Sequence, residues 1–183
     1  MIDLRSYPLT SRRITTVGDL AIPTDDETIL IFDSGCDQAL ANGKPWKILY
    51  RTGKQYTVNS AYKGLGSITH LDEVSAATTV LVNKKVSFIG ILNNAIRNPS
   101  EQEVESLIPP AQARAAGHLV DDVAHRHLTN SGASGSQCMK IDGQEYPLNF
   151  DGYKCYWQIR FPSDAEWETL PRIDLTSPRP YTP

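Results

Sequence analysis

Short runs of apolar and β-branched residues recur along the chain and predict a protein built mainly from strands. In Thr28–Phe32 every position is apolar or β-branched, which is typical of a strand buried on both faces. A glycine-rich segment between two further runs predicts a hairpin with its tip at Lys63–Ser67. The other predicted strands in this half are Trp46–Tyr50, Tyr56–Tyr62, Ile68–Leu71, Ala76–Val82 and Val86–Leu92. Turns are predicted at Arg51–Lys54 and Asn83–Lys85.

One stretch predicts a helix instead. Pro109–Gly117 begins with two prolines, continues with good helix formers and ends with glycine, which is the usual order of residues in a short helix. The expected fold class is therefore all-β, mostly strand with one short helix.

The composition changes in the last third of the chain. Thr129–Gln137 is a low-complexity loop, and it divides the sequence into residues 1–128 and a C-terminal extension or linker, residues 129–183, of uncertain structure. Within the extension, Cys138–Ile141 and Lys154–Phe161 have the character of strands. The proline-rich tail Pro171–Pro183 predicts an extended linker.

Composition and charge narrow the range of functions. The chain has 183 residues, 40% of them hydrophobic, and a formal net charge of −3, so we expect neither a nucleic-acid nor a membrane partner. No apolar run approaches the length of a membrane span. The three cysteines, Cys36, Cys138 and Cys155, are widely spaced, which favours free thiols in a reducing, intracellular compartment.

The strand at Thr28–Phe32 runs directly into Asp33-Ser34-Gly35, the motif with which an aspartic protease holds a catalytic carboxylate. Such an enzyme activates water with two carboxylates that share one proton, because like charges at close range cannot both ionise. The serine can hydrogen-bond near the pair, and the glycine permits a tight backbone turn. The same three residues are also common in ordinary turns, so the motif alone leaves both interpretations open.

The order of features after this motif resembles a retropepsin, and more specifically the protease segment of copia-type retrotransposon polyproteins, particularly those of diatoms and other microalgae. The resemblance covers most of the chain from residue 28 onwards. The segments that carry it are Asp33–Asp37, Ile91–Ile96, Ser106–Gln112, Gln112–His118 and Pro171–Ser177.

The resemblance implies that residues 1–128 form a retropepsin-like domain, a closed β-barrel. It also implies a homodimer, since the chain carries the Asp-Ser-Gly triplet once. Asp33 of each copy would supply one carboxylate, with Ser34 and Gly35 completing the catalytic loop. The substrate would be the polyprotein of the element itself, in the cytoplasm or a virus-like particle. The hairpin tip would be the flap that closes over the bound peptide, formed by Lys63, Gly64, Leu65 and Gly66.

The chain departs from the family pattern at two positions. Cys36 replaces a small residue, and Pro109 follows Leu107-Ile108 where retropepsins usually have glycine. These departures suggest an alternative function, a catalytically silent retropepsin-like module for binding or dimerisation, because folds persist without their chemistry. In a third hypothesis, residues 118–183 form a separate small domain that serves a neighbouring integrase.

Two other chemistries are weaker hypotheses. Cys36 could act as a nucleophile, although no histidine is placed beside it by the sequence. A zinc site would need ligands in a tight pattern, and the available ligand types are scattered, so we expect no metal and no other cofactor. The residues considered for zinc are His118, Asp121, Asp122, His125, His127, Cys138 and Cys155.

Overall fold

The computed structural model describes residues 27–59, 67–99, 105–122 and 135–180, which contain twelve strands and two short helices. In chain order these are β1 (Glu27–Phe32), β2 (Leu40–Asn42), β3 (Lys47–Asn59), β4 (Ser67–Val82), β5 (Lys85–Asn98), β6 (Ser106–Ile108), α1 (Pro110–Ala115), β7 (Leu119–Asp121), β8 (Cys138–Ile141), β9 (Gln144–Pro147), β10 (Asn149–Phe150), β11 (Cys155–Arg160), α2 (Asp164–Thr169) and β12 (Arg172–Asp174).

Nine of the strands form one sheet. β1 pairs antiparallel with β11 and parallel with β6, and the pairing continues through β2, β5 and β4. β4 in turn pairs with β11, so these six strands form a ring of hydrogen-bonded neighbours. β3, β10 and β12 attach outside the ring, and β7, β8 and β9 make a second, three-stranded sheet. The mostly β prediction is confirmed, while the retropepsin-like closed barrel stays a prediction, because the added strands leave no simple barrel.

The core forms around β1. Leu30 is fully buried, and the rings of Phe32 and Trp157 pack edge to face with 5.0 Å between their centroids. Phe88 packs against the same Trp157 at 5.6 Å, so aromatic side chains from β1, β5 and β11 share one centre. This packing, together with hydrogen-bonded neighbours on both edges, fixes the position at which β1 ends.

Several predicted elements differ from the structure in extent. Arg51–Lys54 was expected to be a turn between two strands, but β3 is continuous and accommodates these residues as a bulge, with Gly53 at φ +87°. The turn expected at Asn83–Lys85 is confirmed, because Asn83 and Lys84 both have positive φ, as tight hairpin turns require.

The C-terminal segment contributes to the main sheet. β11 pairs with all six residues of β1, and β12 lies parallel to β5, so the sheet takes strands from both sides of residue 128. The prediction of an extended linker at Pro171–Pro183 is wrong for its first part, where Leu175 and Thr176 are completely buried. A second helix, α2, was not predicted from the sequence.

Candidate active site

Asp33 is the first residue after β1 and is held by the strand beside it. Its backbone N–H donates to the carbonyl oxygen of Ile108, the last residue of β6, at 3.1 Å. β6 runs parallel to β1, and β11 pairs with the other edge of β1. The two neighbours therefore fix the backbone that carries the carboxylate, which is the preorganisation that a catalytic group requires.

The Asp33-Ser34-Gly35 triplet forms a tight loop around the carboxylate. The N–H of Gly35 donates to Asp33 Oδ1 at 2.8 Å, and the N–H of Cys36 donates to the Asp33 carbonyl at 3.3 Å. A Cβ atom on Gly35 would lie 3.3 Å from Asp33 Oδ1, so a larger residue would press on the carboxylate. Ser34 and Gly35 are exposed and Asp33 is half-buried, which leaves the carboxylate accessible.

A buried glutamine supports the loop from below. Gln112 lies in α1 with 1% of its surface exposed, and its Oε1 accepts the backbone N–H of Ala39 at 2.9 Å. Its Nε2 donates to the carbonyl of Asn93 at 3.4 Å. Pro109 precedes α1 with extended backbone, φ −65° and ψ 126°, and Pro110 is the first helical residue. The proline that departs from the family pattern therefore starts the helix that carries Gln112.

Two asparagines without a predicted functional role, Asn93 and Asn94, connect the loop to the C-terminal segment. Asn94 accepts a hydrogen bond from the Gln38 side chain and has φ +53°, and its own amide donates to the carbonyls of Ser177 and Arg179 at 2.9 and 2.8 Å. Asn93 is also buried and donates to the Thr176 carbonyl at 2.9 Å. The sequence signal for this role is the Asn-Asn pair inside the apolar stretch of β5. Buried side-chain amides need hydrogen-bond partners, so such a pair indicates contacts with another segment.

Cys36 lies beside the carboxylate as a thiol. Its Sγ donates to the Gln38 carbonyl at 2.7 Å, and burial, with further contributions from the charges of Asp33 and Asp37, raises the pKa of the thiol. A raised pKa disfavours the thiolate that nucleophilic catalysis needs, so the geometry does not support the Cys36 nucleophile hypothesis.

The predicted flap residues, Lys63 to Gly66, lie outside the described residues. The strands on either side of them are described, and they pair antiparallel as far as Asn59 opposite Ser67. At the base of these strands, Tyr56 donates to Glu73 Oε2 at 2.7 Å. Glu73 is only 2% exposed.

The residues considered for zinc do not form a cluster in the described part of the chain. His118 Nε2 hydrogen-bonds to the Asp174 carbonyl at 2.7 Å, and no group of three or more His, Cys, Asp or Glu side chains suited to a metal occurs among the described residues. His125 and His127 lie outside those residues. The three cysteines are free, and burial raises the pKa of Cys155 to about 11, with smaller contributions from nearby aspartates.

The loop after β1 holds the Asp33 carboxylate in a fixed position that solvent can reach. A single carboxylate cannot share a proton with a partner, so the water activation used by aspartic proteases requires a second carboxylate from elsewhere.

No helix in the described parts of the chain is long and apolar enough to cross a membrane. Comparisons of the chain with protein-family models, with curated proteins and with solved structures give no match.

Proposed function

We propose that the chain is an aspartic endopeptidase of the retropepsin type that acts as a homodimer, with Asp33 of each copy at the two-fold axis. The observation that carries the proposal is the fixed position of Asp33. Its backbone N–H donates to the Ile108 carbonyl, and its carboxylate accepts a hydrogen bond from the Gly35 N–H. An isologous dimer is the commonest symmetric assembly, and Ser34 and Gly35 are exposed beside the carboxylate where a second copy would approach.

The chemistry follows from the sharing of one proton between two carboxylates. The ionised carboxylate takes a proton from water, while the protonated one donates to the carbonyl oxygen of the peptide bond. The pair titrates as a unit, so the rate is expected to be bell-shaped in pH with two macroscopic pKa values. The fold required is the retropepsin barrel, which the ring of six paired strands supports.

The substrate we propose is the polyprotein of a copia-type retrotransposon. A peptide would bind in extended form across the Asp33 loop, and the hairpin between β3 and β4 would cover it, exclude water and donate backbone hydrogen bonds. The hairpin has the necessary position in the chain, because its two strands pair antiparallel on either side of the glycine-rich tip.

Asp33→Asn tests the proposal. The chain is incubated with a mixed peptide library, cleavage is followed by mass spectrometry, and the mass of the assembly is measured by sedimentation. We expect Asp33→Asn to lower the cleavage rate by about 10²- to 10⁴-fold or more, because the amide cannot act as acid or base. Asp37→Asn is the matched control, since Asp37 is an exposed acid four residues away.

Three outcomes are informative. The peptidase proposal is supported if cleavage depends on Asp33, is blocked by pepstatin-type inhibitors and is found in the fraction that sediments as a dimer. Cleavage that persists in Asp33→Asn contradicts it. A dimer that cleaves no peptide supports the alternative, the silent binding or dimerisation module.

A further inference from the structure

The hairpin of β3 and β4 leaves the main sheet at Glu73. From Glu73 to Val82, β4 pairs with β5, but within the described residues Ser67–Asp72 pair with β3 alone. Residues 55–59 and 67–72 therefore form a two-stranded projection, here called the arm. Two strands without further neighbours are only marginally stable in water, so the arm needs fastening at its base.

The base of the arm is irregular on β3 as well. The register changes between Arg51 and Gln55, so Thr52, Gly53 and Lys54 form a bulge opposite β4. Thr52 Oγ1 in this bulge donates to the Glu73 carbonyl at 3.3 Å. A bulge bends its strand and interrupts the regular pairing, so sheet hydrogen bonds alone do not set the angle of the arm at this point.

Glu73 is a buried carboxylate at this point. Its Oε2 accepts the hydroxyl of Tyr56 at 2.7 Å, whereas its Oε1 accepts no hydrogen bond and lies 3.3 Å from Lys54 Nζ in an ion pair. Burial by itself would raise the pKa of Glu73, but the Tyr56 hydroxyl and the Lys54 charge outweigh burial and lower the pKa. Burying a charged group is costly unless it is paired and hydrogen-bonded, so the buried Glu73 carboxylate depends on Tyr56 and Lys54.

Tyr56 belongs to the arm and lies near the segment that follows the Asp33 loop. It lies opposite Leu71 in the arm, and the Gln38 side chain approaches its hydroxyl. Gln38 lies in the loop after Asp33 and donates to Asn94. Tyr56 therefore links the arm to the buried carboxylate at its base, beside the segment that follows the Asp33 loop.

We propose that Glu73 is a positioning residue that fixes the angle of the arm over the Asp33 loop through its hydrogen bond to Tyr56. The consequence for a bound peptide rests on the proposed peptidase function, but the fastening of the arm does not. Without the Glu73–Tyr56 bond the arm would populate several angles, and a peptide would bind only the fraction of molecules with the correct one.

Hydrogen exchange tests the fastening without any substrate. Tyr56→Phe removes only the hydroxyl. We expect the amides of the arm to exchange about tenfold faster in this variant, because the arm loses one hydrogen bond to a charged group. The amides of β4 that pair with β5 should keep their rates. Glu73→Gln removes the charge and the Lys54 ion pair but leaves a neutral acceptor for the hydroxyl, so it should act in the same direction. Adding Tyr56→Phe to Glu73→Gln should accelerate exchange less than adding it to the unmodified chain, since the two side chains interact.

Two control variants match these changes. Tyr50→Phe removes a hydroxyl from an exposed tyrosine of β3 outside the arm, and Glu168→Gln removes a charge from an exposed position of α2. Both should leave exchange in the arm unchanged. Unchanged exchange in Tyr56→Phe, equal acceleration throughout the molecule, or additive effects in the double variant would each overturn the proposal.

Peptide cleavage supplies a second readout. If the chain is a peptidase, Tyr56→Phe should raise KM by about tenfold while kcat changes little, because the arm acts on binding before chemistry. A fall in kcat at constant KM would overturn the assigned role. Absence of cleavage in the unmodified chain, together with faster exchange in the arm of the variants, would refute the peptidase function and leave the role of Glu73 in fastening the arm supported.

Discussion

Gln112 connects the Asp33 loop to the rest of the sheet through one buried side chain. Its Oε1 is the acceptor for the Ala39 N–H, and its Nε2 reaches the Asn93 carbonyl. Loss of a side chain that satisfies a buried backbone group leaves that group without a partner and costs the full desolvation of the group. We therefore expect Gln112 to stabilise the segment that follows the Asp33 loop.

Gln112→Leu should lower the free energy of unfolding by about 1–3 kcal/mol, because the Ala39 N–H loses its acceptor inside the protein. The value is measured by urea denaturation. Gln144→Leu, at an exposed position of β9, is the control and should change stability by less than about 0.5 kcal/mol. Equal effects of the two substitutions would show that the contact beneath the loop contributes nothing.

At the scale of elements, helix α2 depends on one carboxylate. Glu166 accepts the backbone N–H of Ser163 at 2.9 Å, while the Ser163 hydroxyl accepts the N–H of Glu166, so the two residues form a capping box. Glu166 also forms an ion pair with Arg160 at the end of β11. Burial alone would raise the pKa of Glu166, but the bonds from Ser163 and Arg160 outweigh burial and lower the pKa.

Glu166→Gln should lower the free energy of unfolding by about 1–2 kcal/mol at neutral pH, since the cap and the ion pair are weakened together. A carboxylate whose pKa is lower in the folded state stabilises the fold above its ordinary pKa and loses this effect as pH falls through the lowered value. The difference between wild type and Glu166→Gln should therefore shrink in strong acid. Urea denaturation across this pH range measures the difference, and Glu168→Gln, exposed on the same helix, is the control. A difference that stays constant down to strong acid would contradict this account.

The elements show which features the sequence could predict. β1 was predicted because Thr28–Phe32 is apolar or β-branched at every position, and α1 because prolines and glycine mark its ends. Helix α2 was missed, although Ser163 and Glu166 have the spacing of a capping box and could have revealed it.

The parts of the candidate site that the sequence could not supply depend on pairing between distant strands. Asp33 was identified from a local motif, whereas its hydrogen bond to Ile108 depends on β6 lying beside β1. The contacts of Asn93 with Thr176 and of Tyr56 with Glu73 are of the same kind. No local sequence pattern specifies which strands become neighbours, so these hydrogen-bond partners could be identified only from the three-dimensional structure.

At the scale of the whole molecule, the C-terminal segment completes the core. Leu175 follows β12 and is fully buried, and its N–H donates to the Ile91 carbonyl in β5 at 2.8 Å. Its side chain covers Gly90, where an added Cβ atom would lie 2.8 Å from Leu175 Cδ1 and 2.9 Å from Val80. A segment that fills space between central strands is expected to unfold together with them.

Leu175→Ala distinguishes a single cooperative unit from the division at residue 128. If the C-terminal strands are integral to the sheet, the substitution should lower the free energy of the whole unfolding transition by about 2–5 kcal/mol, as large-to-small changes in a core do. Tryptophan fluorescence and far-UV circular dichroism should then give coincident curves in urea. Leu119→Ala, at a position 68% exposed, should shift neither curve measurably. Two separate transitions, of which Leu175→Ala shifts the urea midpoint of only one, would instead support a separate C-terminal domain. The Asp33 loop would then keep its stability when that domain unfolds.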